Sequence, residues 1–361
     1  MCQMLGQPMK LLALTPFHIY PPMFGGAERC WNLLSRIGPV DIIALNWEEQ
    51  SMIGNYGDVR YHLIAADDKA MEQAKKLQAN GIRTYDPMPA LCSKNLTTIR
   101  KAIDAVDPDL VILEHPWLVD LIEGRPYILD EHNFETFNTG SQYGTNSYDY
   151  QLVKDIERHA IQQAEHVTYC SKADAEMIQQ SIGFQSGATL IPNGVTLPNE
   201  TAHGNSRNLI FIGSAYQPNV DAAQRLINIA HQLPDYTIQI LGQCAYFLTN
   251  TQPNVQLIGP VDDDTMHHHF VNAYAFINLV THGSGTHLKI GRALAYGIPV
   301  LTTPTGGRGY NNIIHADERN IPDILNRLNW QQQHHKALQE AALLDWDIIG
   351  KRFKETIHEH L

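Results

Sequence analysis

The sequence predicts an α/β protein built from two Rossmann-like, doubly wound domains facing a cleft. Three observations carry that expectation. The chain has 361 residues, more than one hydrophobic core usually organises at about 100–200 residues per domain. Short apolar runs alternate with longer helical patterns from end to end. The order strand, Gly/Pro loop, helix occurs near the start and again after residues 192–207, a Pro-, Gly-, Asn- and Ser-rich stretch that reads as a linker.

In the first half, Leu11-Leu12-Ala13-Leu14 reads as a strand, followed by a Pro- and Gly-containing loop and a helix over 27–37. Residues 40–45 and 59–64 read as strands, and 68–79 and 95–106 as helices. Leu110-Val111-Ile112-Leu113 and Tyr127-Ile128-Leu129 are continuously apolar, as a parallel sheet covered on both faces requires. A helix over 150–164, a strand over 166–170, a helix over 172–181 and a strand over 188–191 complete this half. In the second half, strands are expected over 208–213, 236–241, 275–280 and 299–302, and a helix over 220–233 follows the loop that holds Pro218-Asn219. The expected boundaries are a first domain over 1–192, a second over 193–345 and a closing helix over 346–361. Ligands of such sheets bind beyond the carboxyl ends of the strands, so the site is expected in the cleft between the domains. Neither half carries GxGxxG, and a nicotinamide-dinucleotide enzyme gains little support.

Composition narrows the function. With 38 acidic and 26 basic residues the net charge is -12, which argues against a general nucleic-acid binder, although a pocket can still be locally positive for a small phosphate ligand. Cys2, Cys30, Cys92, Cys170 and Cys244 are odd in number and scattered, so neither a disulfide framework nor a cysteine zinc site is expected, and a reducing cytoplasm fits. His267-His268-His269 on one helix would point different ways, which favours a solvated surface over a metal site. The apolar run 9–17 has one basic residue and no small-residue cleavage site, so it reads as a buried first strand and not as a secretion signal. No run reaches the ~18–20 apolar residues of a membrane span. A cytoplasmic protein is expected, with peripheral contact at the inner face of the membrane left open.

Four motifs can carry chemistry. Gly25 and Gly26 open the first helix directly after the first strand and its loop. They serve either close approach of a ligand to helix amides or a tight turn alone. Asp130-Glu131-His132-Asn133-Phe134-Glu135 follows the strand over 127–129. His132 is the candidate for orienting a hydroxyl, against a histidine satisfied by local hydrogen bonds. Ile191-Pro192-Asn193-Gly194-Val195 reads as the crossing between domains, Asn193-Gly194 supplying unusual backbone angles. The strongest element is Gly283-Ser284-Gly285-Thr286-His287-Leu288-Lys289-Ile290. Its small residues expose amides at the start of a helix expected from Gly285 to Ala295, and Lys289 adds a cation one turn inside. Gly306-Gly307-Arg308-Gly309 forms a second glycine loop at the same sheet edge.

The ordered series of these motifs resembles the GT-B glycosyltransferases, specifically the retaining family-4 type. The resemblance runs from Pro21-Pro22-Met23-Phe24-Gly25-Gly26-Ala27-Glu28 through the Asp130 and Ile191 segments. It continues with Gly213-Ser214, Pro218-Asn219, the Gly283 loop, and Ala293-Leu294-Ala295-Tyr296-Gly297-Ile298-Pro299-Val300. It implies transfer of a sugar from a nucleoside-diphosphate sugar to a saccharide, lipid-linked or protein acceptor, with no metal and no further cofactor. The second domain would hold the donor, the first the acceptor, and the closing helix would pack back on the first domain. Catalytic residues would be His132 and Lys289. Donor-binding residues would be Gly25, Gly26, Gly213, Ser214, Gly283, Ser284, Gly285, Thr286, His287, Leu288, Arg292 and Arg308. Asp262-Asp263-Asp264 is expected to cap a helix and not to bind metal. Two departures stand out. Ser284 and Arg292 occupy positions where many members carry Glu, and the loop Ser214-Ala215-Tyr216-Gln217 lacks the usual Arg and Lys. The alternative they leave open is a non-catalytic GT-B-like partner or binding subunit.

Overall fold

The computed structural model describes residues 9–360 apart from 49, 123 and 185, so Cys2, Leu361 and the first eight residues of the expected first domain lie outside the described residues. The chain separates into two compact units: Met1–Ile191 together with Ile349–Leu361, and Pro192–Ile348.

The first unit is organised by β1 (Leu11–Thr15), β2 (Val40–Asn46), β3 (Met52–Tyr56), β4 (Val59–Ala65), β5 (Leu110–Glu114), β6 (Tyr127–Glu131), β7 (His166–Tyr169) and β8 (Gly187–Leu190). They form one sheet in the order β3-β4-β2-β1-β5-β6-β7-β8, parallel except for the β3–β4 hairpin. β1, β5 and β6 are buried along their whole length, as the unbroken apolar runs predict for central parallel strands. β3 escaped the sequence reading because its residues, half to fully exposed, form no apolar run; Gly57 at φ +62° makes its turn. Helices missed from the sequence include Glu135–Tyr143, directly after the Asp130 motif. The strand order reverses direction between β1 and β5, so their carboxyl ends flank the point where doubly wound sheets bind ligands.

The second unit contains β9 (Asn208–Ile212), β10 (Thr237–Leu241), β11 (Val255–Gly259), β12 (Ala273–Asn278), β13 (Val300–Thr302) and β14 (Ile314–His315), all parallel, in the order β11-β10-β9-β12-β13-β14. Here the switch point lies between β9 and β12. Two apolar cores cover the two faces of the sheet, one around Phe211, Leu226, Ile240 and Ile277, the other around Ile210, Phe276, Leu294 and Trp330. The Asn193-Gly194 expectation needs correction: Gly194 has no left-handed φ, and its constraint is space, because a Cβ there would overlap the Trp346 indole.

The closing helix is Trp346–His358, and its residues from Ile349 onward group with the first unit, burying Phe353 and Ile357. Gly350 lets this helix lie against Arg36. Among the described residues, Cys30, Cys92, Cys170 and Cys244 are buried thiols in no disulfide. No helix among the described residues is long and apolar enough to cross a membrane.

Candidate functional site

In the first unit the carboxyl ends of β5 and β6 and the helix Gly25–Leu34 bring an unusual set of charges into the interior. Arg29, 1 % exposed, grips Asp130 with Nε to Oδ2 at 2.8 Å and Nη2 to Oδ1 at 2.7 Å, and donates from Nη1 to the Ile191 carbonyl at 2.9 Å. Thr168 Oγ1 adds a 2.6 Å bond to Asp130 Oδ1. Burial alone would push the Asp130 carboxyl up, but Arg29 and the His132 ring outweigh it and hold the group well below the usual carboxylate range.

His132 belongs to the same centre. Its ring is 6 % exposed, and Nε2 lies 2.7 Å from Glu114 Oε2 and 3.3 Å from Asp130 Oδ2. Burial disfavours the imidazolium, yet hydrogen bonds to these two carboxylates raise its pKa. Cys30 Sγ donates to Glu114 Oε2 at 3.2 Å. His132 is expected to orient a hydroxyl; its Nε2 faces carboxylates of its own unit. Cys30, Glu114 and His132 place three potential metal-ligand atoms within 4.8 Å of one another. The 2.7 Å His132–Glu114 separation is that of a charge-assisted hydrogen bond, and Arg29 already supplies a buried cation beside it.

His115 was missed by sequence reading. It follows β5 at φ +63°, ψ 161°, a strained backbone for a non-glycine residue, and strain of this kind concentrates at functional sites. Its ring packs 4.0 Å from that of His132 and 5.5 Å from that of Phe17, and its Nδ1 lies 3.2 Å from Glu135 Oε1. Burial and the neighbouring His132 push its pKa down, so it is neutral at pH 7. The signal in the sequence was present, since Glu114-His115 ends an apolar strand just as Asp130-Glu131-His132 does. Gly25 begins the first helix, and a Cβ on Gly26 would meet the Phe24 ring at 3.0 Å and the Phe17 ring at 3.4 Å, so two aromatic rings crowd this turn.

In the second unit the glycine loop after β12 runs differently from expectation. Gly283 at φ +120° and Gly285 at φ +71° cannot continue a helix, so the helix starts at Leu288 with His287 as N-cap, and runs to Ala295. The loop is braced from several sides. Asn193 Nδ2 donates to Thr286 Oγ1 at 2.6 Å, Arg308 Nη1 to the Gly283 carbonyl at 3.1 Å, and Tyr310 Oη to the His287 carbonyl at 3.2 Å. Ser284 is buried. The second glycine loop packs just as closely: Gly306 and Gly307 admit no side chain beside Asn278, Thr302 and Ile313, and Gly309 at φ +87° lies against Thr286. Glu340 accepts from the Asn311 and Asn312 amides at 2.7 and 2.5 Å and anchors the end of that loop.

Lys289 points from the first turn of the helix to the carboxyl end of β9. Its Nζ donates to the Ile212 carbonyl at 3.2 Å and to Asn219 Oδ1 at 2.6 Å, and lies 4.5 Å from the centre of the Phe211 ring. Among the described residues no carboxylate pairs with it. Burial lowers its pKa to about 7. His287 beside it is pushed down to about 3 by burial and by the charges of Lys289 and Arg308, so it is neutral. Gly213 is buried, and a Cβ there would press on Asn219 and Cys244. Ser214 is exposed and accepts from Asn219 Nδ2 at 3.1 Å. Arg292 is half-buried one turn beyond Lys289, where its charge acts on the Tyr296 phenol. Asp262 caps the helix Asp263–Val271 through Thr265 N at 2.8 Å, as read from the sequence. On that helix His267 bonds Tyr296, His269 bonds Gln239 and the exposed His268 lies against the Asn272 amide, so all three histidines meet protein groups.

Comparison with known proteins places this geometry. The profile described as Glycosyltransferase Family 4 matches residues 58–197, and that described as Glycosyl transferases group 1 matches residues 206–329. No curated protein sequence matches the chain significantly. Among solved structures, sucrose-phosphate synthase from Thermosynechococcus elongatus aligns with a TM-score of 0.69 at 14 % identity, over 97 % of this chain and 98 % of that one. Anabaena HepE in complex with UDP gives 0.67 at 15 % identity, over 97 % and 100 %. A trehalose-6-phosphate protein of E. coli bound with UDP-2-fluoro glucose gives 0.67 at 10 % identity, over 96 % and 99 %. With a family-4 segment in its first unit, a group-1 segment in its second and the same two-sheet fold as these structures, the chain belongs to the GT-B glycosyltransferases.

Proposed function

We propose that this glycosyltransferase draws its sugar from a uridine-type nucleoside-diphosphate donor held by the second unit. It passes that sugar to a saccharide acceptor held by the first, without a metal ion and with retention of anomeric configuration. The observation that carries the reading is the Lys289 ammonium, set beside the glycine loop 283–287 and balanced by no carboxylate among the described residues. A diphosphate leaving group needs such a cation together with free helix-start amides, because its charge develops as the glycosidic bond breaks. The structural neighbours solved with UDP and with UDP-2-fluoro glucose support uridine as the first base to test. One neighbour, a trehalose-phosphate synthase from Burkholderia xenovorans, was solved in complex with glucose-6-phosphate, which supports a saccharide acceptor. Lipid-linked and protein acceptors, and a cytoplasmic site of action with peripheral contact at the inner membrane face, are part of the same proposal.

In the first unit the polar centre around Arg29, Asp130 and His132 fixes the ends of β5 and β6. It thereby sets the position of His115 and the start of the helix Glu135–Tyr143. His115, neutral and strained, is the group suited to meet a sugar hydroxyl. Direct contact of Arg292 or Arg308 with the donor is not needed by this reading, since Arg308 already braces Gly283.

Incubation with a panel of nucleotide sugars and simple saccharides, followed by product detection and anomeric analysis by NMR, tests the proposal. A product of inverted configuration would remove retention, and activity lost on chelation would remove metal independence. A second reading, a non-catalytic GT-B protein that still binds nucleotide, is favoured by Ser284 and Arg292 at positions where many members carry Glu. UDP binding with no transfer to any acceptor in the panel would support it.

A further inference from the structure

We propose that Asn219 is the positioning residue for Lys289: it holds the ammonium at the carboxyl end of β9 while leaving its charge uncompensated and open to the donor diphosphate. The inference rests on the reading that the second unit binds a nucleoside-diphosphate sugar.

An ammonium has three N–H donors and no acceptor. Two are spent inside the protein, on the Ile212 carbonyl and on Asn219 Oδ1. Among the described residues no third acceptor is assigned to Nζ, so one donor is left for a ligand. Both acceptors are neutral. A carboxylate in place of the Asn219 amide would bind the ammonium more tightly but cancel its charge, and the site would lose its attraction for phosphate. The Phe211 ring beneath Nζ adds attraction without adding an anion.

Asn219 is itself fixed. Its Nδ2 donates to Ser214 Oγ at 3.1 Å, which orients the amide so that Oδ1 faces the ammonium. Gly213 clears the space for it, because a Cβ there would stand 2.7 Å from Asn219 Cβ. The other titratable groups acting on Lys289 or feeling its charge are the Cys244 thiol, which burial pushes up and keeps protonated, and His287, which is neutral. No carboxylate among the described residues faces it. Ser214, Asn219 and Lys289 thus form one relay across the switch point between β9 and β12. It offers a substitute for the Arg and Lys that many family members carry after this strand.

The test is isothermal titration of the full chain with UDP from about pH 6 to 8.5, comparing wild type, Asn219→Asp and Asn219→Ala, with thermal melting as the fold control. Titration of UDP itself is common to all three and cancels. Wild-type affinity should fall as pH rises through about 7, where Lys289 loses its proton. Asn219→Asp should weaken UDP binding by about tenfold or more at neutral pH, one pKa unit's worth of interaction, because the new carboxylate neutralises the cation. It should also flatten the pH dependence between about 7 and 8.5, because the same carboxylate keeps the proton on Lys289. A merely structural role would not move that profile. Asn219→Ala should lose about threefold and keep the wild-type slope, and it carries the test by its loss of affinity if Asn219→Asp does not fold. Asn219→Asp within twofold of wild type and with an unchanged slope would overturn the inference while leaving the donor reading intact. Wild type that binds neither UDP nor inorganic pyrophosphate would overturn the donor reading and this inference with it.

Discussion

The two units place charge in opposite ways. In the first, Arg29, Glu114, Asp130 and His132 are buried together and pair cation against carboxylate, although Glu114 Oε1 has no hydrogen-bond partner. In the second, Lys289 is held by a carbonyl, a carboxamide and an aromatic ring, with no carboxylate of its own among the described residues. The lesson is that internal compensation marks a group that fixes structure, whereas a cation held only by neutral partners retains its pull on an outside anion. Buried charge alone does not identify the ligand site. How that charge is balanced does.

The sharpest way to break the comparison is to remove a partner from the compensated centre. Arg29→Ala leaves Asp130 buried with only Thr168 and His132 as neighbours, and should destabilise the protein by about 3–5 kcal/mol, the usual cost of breaking a buried pair from one side. Urea unfolding measures it. UDP affinity of the protein that remains folded should be unchanged. A loss below about 1 kcal/mol, the level of an exposed pair, would show that the centre is not structural.

Lys289→Ala should do the reverse. Removing a part-buried ammonium that has no carboxylate partner among the described residues should leave the melting temperature close to that of wild type or raise it. UDP affinity should drop by about tenfold to a hundredfold, the range expected from one charge-assisted hydrogen bond. The pH dependence sharpens the point. Burial holds the Lys289 pKa at about 7, and a bound diphosphate favours the protonated form. Above that pH, binding must take up a proton that the free protein has lost. Affinity should therefore fall by up to about tenfold per pH unit as pH rises past 7, and level off below it. The same titration on Lys289→Ala should be flat apart from the contribution of UDP itself.

The sequence displays the fold more fully than the site, and particular residues show why. Central strands announce themselves because burial on both faces demands unbroken apolar runs, as at Leu110-Val111-Ile112-Leu113. The edge strand Met52–Tyr56 has no such demand and leaves no trace. The glycine loop was legible as a place where backbone meets ligand, yet the true helix start at Leu288 depends on left-handed angles at Gly283 and Gly285 that composition does not specify. His132 stood out as a polar residue after a strand, but its orientation depends on Glu114, eighteen positions earlier on the neighbouring strand. Asn219 could not be singled out at all, because its meaning arises only from its contact with Lys289, seventy positions away. Pairings of that kind are tertiary facts.

Arg292 gives the smallest and most discriminating test, because it lies between the two regimes. It stands one turn beyond Lys289 on the same helix, at a position where many family members carry a glutamate for the ribose hydroxyls, and its charge acts on the Tyr296 phenol. Arginine has donors only and cannot accept a hydrogen bond from ribose. Arg292→Glu restores an acceptor and at the same time removes one positive charge from the neighbourhood of the diphosphate. The two effects have opposite signs on UDP affinity and different salt dependence, since only the charge effect is screened. If Arg292 is a packing residue beside Tyr296, the acceptor effect should dominate, and Arg292→Glu should bind UDP about twofold to fivefold more tightly at 0.5 M salt, the worth of one modest hydrogen bond. Uridine, which carries the ribose without the phosphates, should gain by the same factor. A loss of UDP affinity that shrinks as salt is added, with uridine unaffected, would instead assign Arg292 to the diphosphate. The second unit would then hold its donor with two cations where the comparison above allows one.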